Sequence, residues 1–131
     1  MDYYDLVKKA MKAKENAYAP YSGFRVGACV KTQDGRIYTG CNIENSSFGA
    51  TICAERTAIV KAISEGETKI SAIAITSDSD GLTYPCGICR QVISEFRSDN
   101  TKIICSNKKG EYKIYEINDI LPHAFTKEDM G

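Results

Sequence analysis

Two short segments carry residue types that can do chemistry: Cys53-Ala54-Glu55-Arg56 and Pro85-Cys86-Gly87-Ile88-Cys89-Arg90. Each lies where a loop pattern gives way to a helix pattern. A helix start is electropositive, because its first N–H groups are unpaired and the peptide dipoles add up there. That environment stabilises a thiolate, and the thiolate is the form a metal binds. If the two helices lie side by side, Cys53, Cys86 and Cys89 converge on one zinc ion per chain. Three protein ligands leave the fourth tetrahedral position open to water, which marks a catalytic rather than a structural zinc site. The metal makes water nucleophilic near neutral pH. Glu55, two residues beyond Cys53, is the candidate catalytic residue that takes the water's proton and passes it on. Residues two apart on an ideal helix point about 200° apart. Cys53 and Glu55 therefore share a target only if it lies beyond the helix end, near its axis.

The single histidine, His123, is far from both segments, so if the metal site exists its first ligand is Cys53. Three thiolates bring surplus negative charge, which weakens the metal as a Lewis acid. Arg56 and Arg90 directly follow the ligand segments and are expected to donate hydrogen bonds to the sulfurs. Two other readings remain open. A closed structural zinc site would recruit Cys29, Cys41 or Cys105 as fourth ligand, but leaves Glu55 and Pro85 without a purpose. A redox dithiol at Cys86 and Cys89 leaves Cys53 and Glu55 idle. Cys29, Cys41 and Cys105 fall in strand-like stretches, where a cysteine commonly serves as a small core residue.

These segments need elements to hold them. Residues 3–18 place Leu6, Val7, Ala10, Met11, Ala17 and Tyr18 near one helical face, with Asp2 as N-cap. Ala19 to Gly23 form a turn. Residues 24–33 and 36–42 read as strands joined at Asp34-Gly35, a dipeptide suited to tight hairpins. A loop over 43–51 leads into a helix over 53–64, and Gly66 suits its C-terminal end. The apolar run 70–76 reads as a buried strand, 86–97 as a helix, and 102–106 and 112–117 as strands, followed by a short helical turn and tail. The order α-β-β-α-β-α-β-β contains a parallel crossover over 70–106. It predicts an α/β fold, a three-layer α/β/α sandwich around a mixed five-stranded sheet.

The chain has 131 residues, 43% of them hydrophobic, which suits one compact domain over 1–131. Lys+Arg and Asp+Glu number 17 each, so the net charge is zero. A nucleic-acid partner calls for a basic surplus, and this balance argues against one. No stretch approaches the about 20 apolar residues of a membrane span, and the N-terminus lacks a signal-peptide pattern. These features point to the cytoplasm, where thiols stay reduced and clustered cysteines serve metals or catalysis.

The long match C-A-E-R followed by P-C-x-x-C-R fits the zinc deaminase pattern, with a third cysteine in place of histidine. Further segments agree: Ala19-Pro20-Tyr21-Ser22, Phe24-Arg25-Val26-Gly27-Ala28, Gly40-Cys41-Asn42-Ile43-Glu44-Asn45, Arg90-Gln91-Val92, Leu121-Pro122 and Ala124-Phe125. Over nearly its whole length the chain resembles the cytidine deaminase family, in particular its small homotetrameric branch. The resemblance implies hydrolytic deamination of cytidine and 2′-deoxycytidine in pyrimidine salvage, by a homotetramer with shared active sites. It implies that Asn42 and Glu44 bind the ribose, mainly its 3′-hydroxyl, that Phe24 packs on the cytosine, and that Phe125 enters a neighbouring subunit's site. The backbone of Ala54 and of the Pro85–Cys86 turn then reads the base edge. Phe48 stands where the family often has Tyr, so one hydroxyl contact is in doubt. Taken alone, Asn42 and Asn45 also read as turn builders, and composition alone favours Phe24 as an ordinary core aromatic. Rival readings are a blasticidin-S deaminase of the same fold, a nucleic-acid deaminase, and a non-catalytic zinc-binding module.

Overall fold

The computed structural model describes residues 3–130. Its five-stranded sheet has the order β2-β1-β3-β4-β5, with β1 at Val26–Thr32, β2 at Ile37–Cys41, β3 at Ile70–Ser77, β4 at Arg97–Ser106 and β5 at Tyr112–Glu116. β1 pairs antiparallel with β2 and β3, β3 pairs parallel with β4, and β4 pairs antiparallel with β5. The sheet is therefore mixed. The helices are α1 (Tyr3–Lys14), α2 (Ala54–Ser64), α3 (Gly87–Glu95) and a short α4 (Ile117–Ile120).

Strand side chains alternate between faces, and here the alternation sorts residues by size. Ala28, Val30, Ile73, Ile75 and Ile103 turn to the face covered by α2 and α3. Cys29, Ala72, Ala74 and Ile104 turn to the other face, where α1 brings Leu6, Val7 and Ala10. Helices thus cover both faces, giving the three layers expected. The small residues on the α1 face let that helix lie close. At Gly27 a Cβ would stand 2.0 Å from the Ala10 carbonyl oxygen.

The same device holds α2. Ala54, Ala58 and Ala62 recur every fourth residue and are fully buried. Opposite them lies Gly40 of β2, where a Cβ would stand 2.5 Å from the Ala58 nitrogen and 2.8 Å from the Ala54 oxygen. The first turn of α2 therefore rests directly on strand backbone.

Several boundaries differ from the sequence reading. α1 ends at Lys14 rather than 18. Tyr18 is more than half exposed and makes a strand-like bridge to Ile43, donating its N–H to the Asn42 carbonyl at 2.9 Å. The apolar periodicity through Ala17 and Tyr18 thus belongs to an extended segment. β4 begins at Arg97, five residues before the apolar run, because Arg97 already pairs with Ile70 ahead of an irregularity in the register. The loop 43–51 contains a 3-10 turn at Phe48–Ala50. Asp2, the expected N-cap of α1, lies outside the described residues.

Candidate active site

Cys53 and Cys86 are the N-cap residues of α2 and α3, and neither side chain bonds its own helix amides. Their sulfurs are left to face each other. Cys89 is the third residue of α3 and is buried. The three Sγ atoms lie within 4.8 Å of one another, and those of Cys53 and Cys86 are 3.8 Å apart. Two sulfurs held at about 2.3 Å by one tetrahedral zinc stand about 3.8 Å apart, so the donor set has the chemistry and the spacing for that ion. Among the described residues the group has three members. Cys29 lies on the opposite face of the sheet, in the cluster with α1. Cys105 sits in the α2/α3-side core. Burial pushes both thiols up to about 12, the behaviour of inert core cysteines. The set is open on the Cys86 side, where that residue is exposed.

The electrostatics of the cluster favour a thiolate. A hydrogen bond from the Cys89 thiol, the largest influence, brings Cys53 down to about 5; Arg56 and Cys86 add to it against the cost of burial. Cys89 moves the opposite way, because it shares its proton with Cys53 and is desolvated. Arg56 Nη2 lies 3.6 Å from the Cys53 sulfur. Its Nε is a buried donor with no partner, a second N–H available to an electron-rich neighbour. Glu55 is only 4% exposed. Burial pushes its carboxyl up to about 7, and the Cys53 charge adds to this, while its local backbone, Cys89 and Arg56 oppose. The carboxyl of Glu55 thus interacts with both Cys53 and Cys89. A carboxyl that titrates near neutrality serves equally as base and as acid.

Arg90 is placed differently from Arg56. Its Nε donates to the Pro85 carbonyl at 2.8 Å and its Nη1 to the Ile120 carbonyl at 2.7 Å. Instead of bonding a sulfur, it fixes the loop before Cys86 to the end of α4. Ala54 is the first residue of α2 and fully buried, so its N–H belongs to the helix start beside the thiols.

The remaining expected contacts divide. Asn42 is buried; its Oδ1 accepts from the Val26 N–H at 2.9 Å, and its Nδ2 donates to the Phe24 carbonyl at 2.8 Å. Glu44 accepts from the backbone N–H groups of Tyr21 (2.9 Å) and Ser22 (3.1 Å), and from the Ser22 hydroxyl. Both residues build the turn, and each keeps hydrogen-bonding capacity for a ligand hydroxyl. Phe24 is 42% exposed. Glu44 and Phe48 line one cavity of about 260 Å³ together with Tyr21 and Thr51. Phe48 is 81% exposed. Phe125 is not gathered with them. It lines a separate cavity of about 410 Å³ with Lys69, Arg97 and Glu128, and Gln91 donates to its carbonyl at 2.8 Å. Arg25, next to Phe24, donates from Nε to Asp78 Oδ2 at 3.0 Å, a pairing with no sequence signal because 53 residues separate the two.

The chain matches, over residues 2–105, the family model described as the cytidine and deoxycytidylate deaminase zinc-binding region. It is 47% identical to a cytidine deaminase of Sporosarcina psychrophila over 131 residues, covering 100% of this chain and 96% of that protein. It is also 47% identical to a cytidine deaminase of Halalkalibacterium halodurans, covering 100% and 99%. The crystal structure of cytidine deaminase from Burkholderia pseudomallei superposes with a TM-score of 0.90 at 41% identity, covering 95% of this chain and 100% of that one.

Proposed function

The chain belongs to the cytidine and deoxycytidylate deaminase family, and on that premise we propose that it hydrolyses cytidine and 2′-deoxycytidine to uridine and 2′-deoxyuridine. One water enters and one ammonia leaves per turnover. When bound, zinc supplies the Lewis acidity that makes a water nucleophilic near neutral pH. Cys53, Cys86 and Cys89 hold the ion. Arg56 draws electron density from the Cys53 sulfur and so preserves that acidity. Glu55 takes one proton from the attacking water and delivers it to ring N3 as C4 is attacked; it then takes the second proton from the new C4 hydroxyl and passes it to the departing amino nitrogen, so that ammonia leaves and the oxygen stays on C4 as the carbonyl. The burial of Glu55 at the helix start that carries Cys53 supports this double duty. Phe24 packs on the base, Asn42 and Glu44 accept or donate at the ribose, and the helix-start N–H groups near Ala54 and Cys86 read the base edge. Arg90 keeps the Pro85–Cys86 turn in register for that reading.

The wider reading is a homotetramer acting in the cytoplasm in pyrimidine salvage, with Phe48 and Phe125 completing neighbouring sites. The exposure of both aromatic rings in one chain supports it. Among the described residues no helix is long and apolar enough to cross a membrane, and the zero net charge gives no support to a nucleic-acid partner.

One observation carries the reading: three sulfurs at zinc spacing on two helix starts, with a buried carboxyl beside them. Metal analysis joined to an ultraviolet assay with cytidine tests it. The expected result is one zinc per chain and loss of the cytidine absorbance. Bound zinc with no spectral change indicates a binding module, and turnover of blasticidin S in place of cytidine indicates the rival deaminase.

A further inference from the structure

Phe24, Arg25 and Val26 lead from the turn into β1, and every backbone polar group of the three is engaged. The Phe24 N–H donates to the Ser22 hydroxyl at 3.0 Å and its carbonyl accepts from Asn42 Nδ2. The Val26 N–H donates to Asn42 Oδ1, and its carbonyl accepts from the Asn42 N–H at 3.3 Å. On the opposite side the Arg25 N–H donates to Asp78 Oδ2 at 3.3 Å and its carbonyl accepts from the Asp78 N–H at 3.3 Å. Asn42 just past β2 and Asp78 just past β3 thus flank the tripeptide like two short strands.

Asp78 does more than a surface ion pair, which contributes about 0–1 kcal/mol. Its carboxylate takes both prongs of the Arg25 guanidinium, Nε at 3.0 Å and Nη2 at 3.1 Å. It also lies 3.2 Å from the ammonium of Lys14, a buried lysine that donates to the Ser77 carbonyl at 3.3 Å. A forked arginine–carboxylate pair fixes orientation as well as distance. One carboxylate therefore joins the last turn of α1, the end of β3 and the residue following Phe24.

We propose that Asp78 is a positioning residue for nucleoside binding: through the backbone and guanidinium of Arg25 it aims the Phe24 ring at the base. The inference rests on the reading above that Phe24 packs on the base. Asp78 touches no reacting atom and acts on affinity rather than on the chemical step.

Steady-state kinetics of the zinc-loaded enzyme with cytidine test this on four proteins: the parent, Asp78→Asn, Phe24→Ala and the double variant. Asp78→Asn puts an amide N–H against arginine donors. It is expected to raise KM about 10-fold while kcat stays within about twofold, the pattern of lost binding rather than lost chemistry. Zinc content stays at the parent level. The distinguishing readout is the double variant: if Asp78 acts through Phe24, adding Asp78→Asn to Phe24→Ala changes KM by less than about twofold. The same 10-fold rise in both backgrounds, an unchanged KM in Asp78→Asn, or an equal fall in kcat overturns the proposal. An unchanged KM in Phe24→Ala overturns the stacking reading itself, and the proposal with it. Arg25→Gln covers the case in which Asp78→Asn does not fold. It leaves the Lys14 pair intact and is expected to raise KM about threefold, and no change there refutes the clamp.

Discussion

Replacing Glu55 by Gln separates the two properties that burial confers on this carboxyl. The side chains are nearly isosteric, so the packing around α2 and the three sulfurs is preserved. In the zinc-loaded enzyme the variant loses proton transfer, and kcat falls by about 10²–10⁴ with zinc content unchanged. The second consequence appears in the metal-free protein. Glu55 titrates near 7 when folded against an ordinary value of 4.5. The folded state therefore holds a proton that the unfolded chain has already released, and between pH 4.5 and 7 the parent loses stability as pH rises. Below that window no loss has occurred; above it the loss is complete, at about 3 kcal/mol. Gln does not titrate. The Gln variant is thus expected to gain about 3 kcal/mol relative to the parent between pH 4 and pH 8. Any fixed cost of the amide is the same at both ends and cancels. Urea unfolding of chelated, reduced protein at pH 4, 6 and 8 measures the difference. A stability gap that is flat with pH refutes the claim that burial holds this carboxyl protonated. Near-normal turnover of the zinc-loaded variant refutes its role in proton transfer.

Three further perturbations test neighbouring parts of the argument. Arg56→Gln removes the hydrogen bond to the Cys53 sulfur and is expected to move the acid limb of the pH–rate profile upward. In chelated protein it raises the Cys53 thiol from about 5, and the pH midpoint of iodoacetamide alkylation reads this directly. Gly40→Ala drives a Cβ into the backbone of α2. It is expected to cost about 3 kcal/mol by thermal unfolding and to lower zinc occupancy, since the helix start that moves carries Cys53. Asp78 titrates near 2 against an ordinary 3.8, chiefly because Arg25 holds it ionised. Its stabilisation, about 1 kcal/mol after allowance for solvent screening, is present above pH 4 and lost as pH falls toward 2. Asp78→Asn should therefore be weaker than the parent at pH 7, with the gap narrowing in acid unfolding as pH falls through 2.

Much of the site was legible because its parts are local. Cys53 and Glu55 share one helix start, and Cys86 and Cys89 share another, so their local spacing, read together with the zinc deaminase pattern it resembles, made them candidates. The parallel pairing of β3 and β4 around α3 follows from the alternation of apolar strand and amphipathic helix. What escaped was non-local or polar. The start of β4, residues 97–100, is a run of half-buried and exposed polar residues whose strand geometry comes from its neighbour β3. The end of α1 was overrun because Ala17 and Tyr18 keep an apolar rhythm for a different purpose. Arg90 was expected at a sulfur from adjacency in sequence, yet its reach carries it to Pro85 and Ile120. The pairing of Arg25 with Asp78 across 53 residues leaves no periodic trace at all.

Gly40 has one more implication. Because the front of α2 rests on strand backbone at that point, its height above the sheet is set chiefly by backbone contact rather than by a bulky side chain. The point acts as a fulcrum. Exchanging Ile59 of α2 or Ile93 of α3 for a smaller or larger residue is expected to repack the surrounding core, while Cys53 scarcely shifts. Drift in the hydrophobic interior is in this way uncoupled from the chemistry, and the core is free to vary among descendants that keep this glycine.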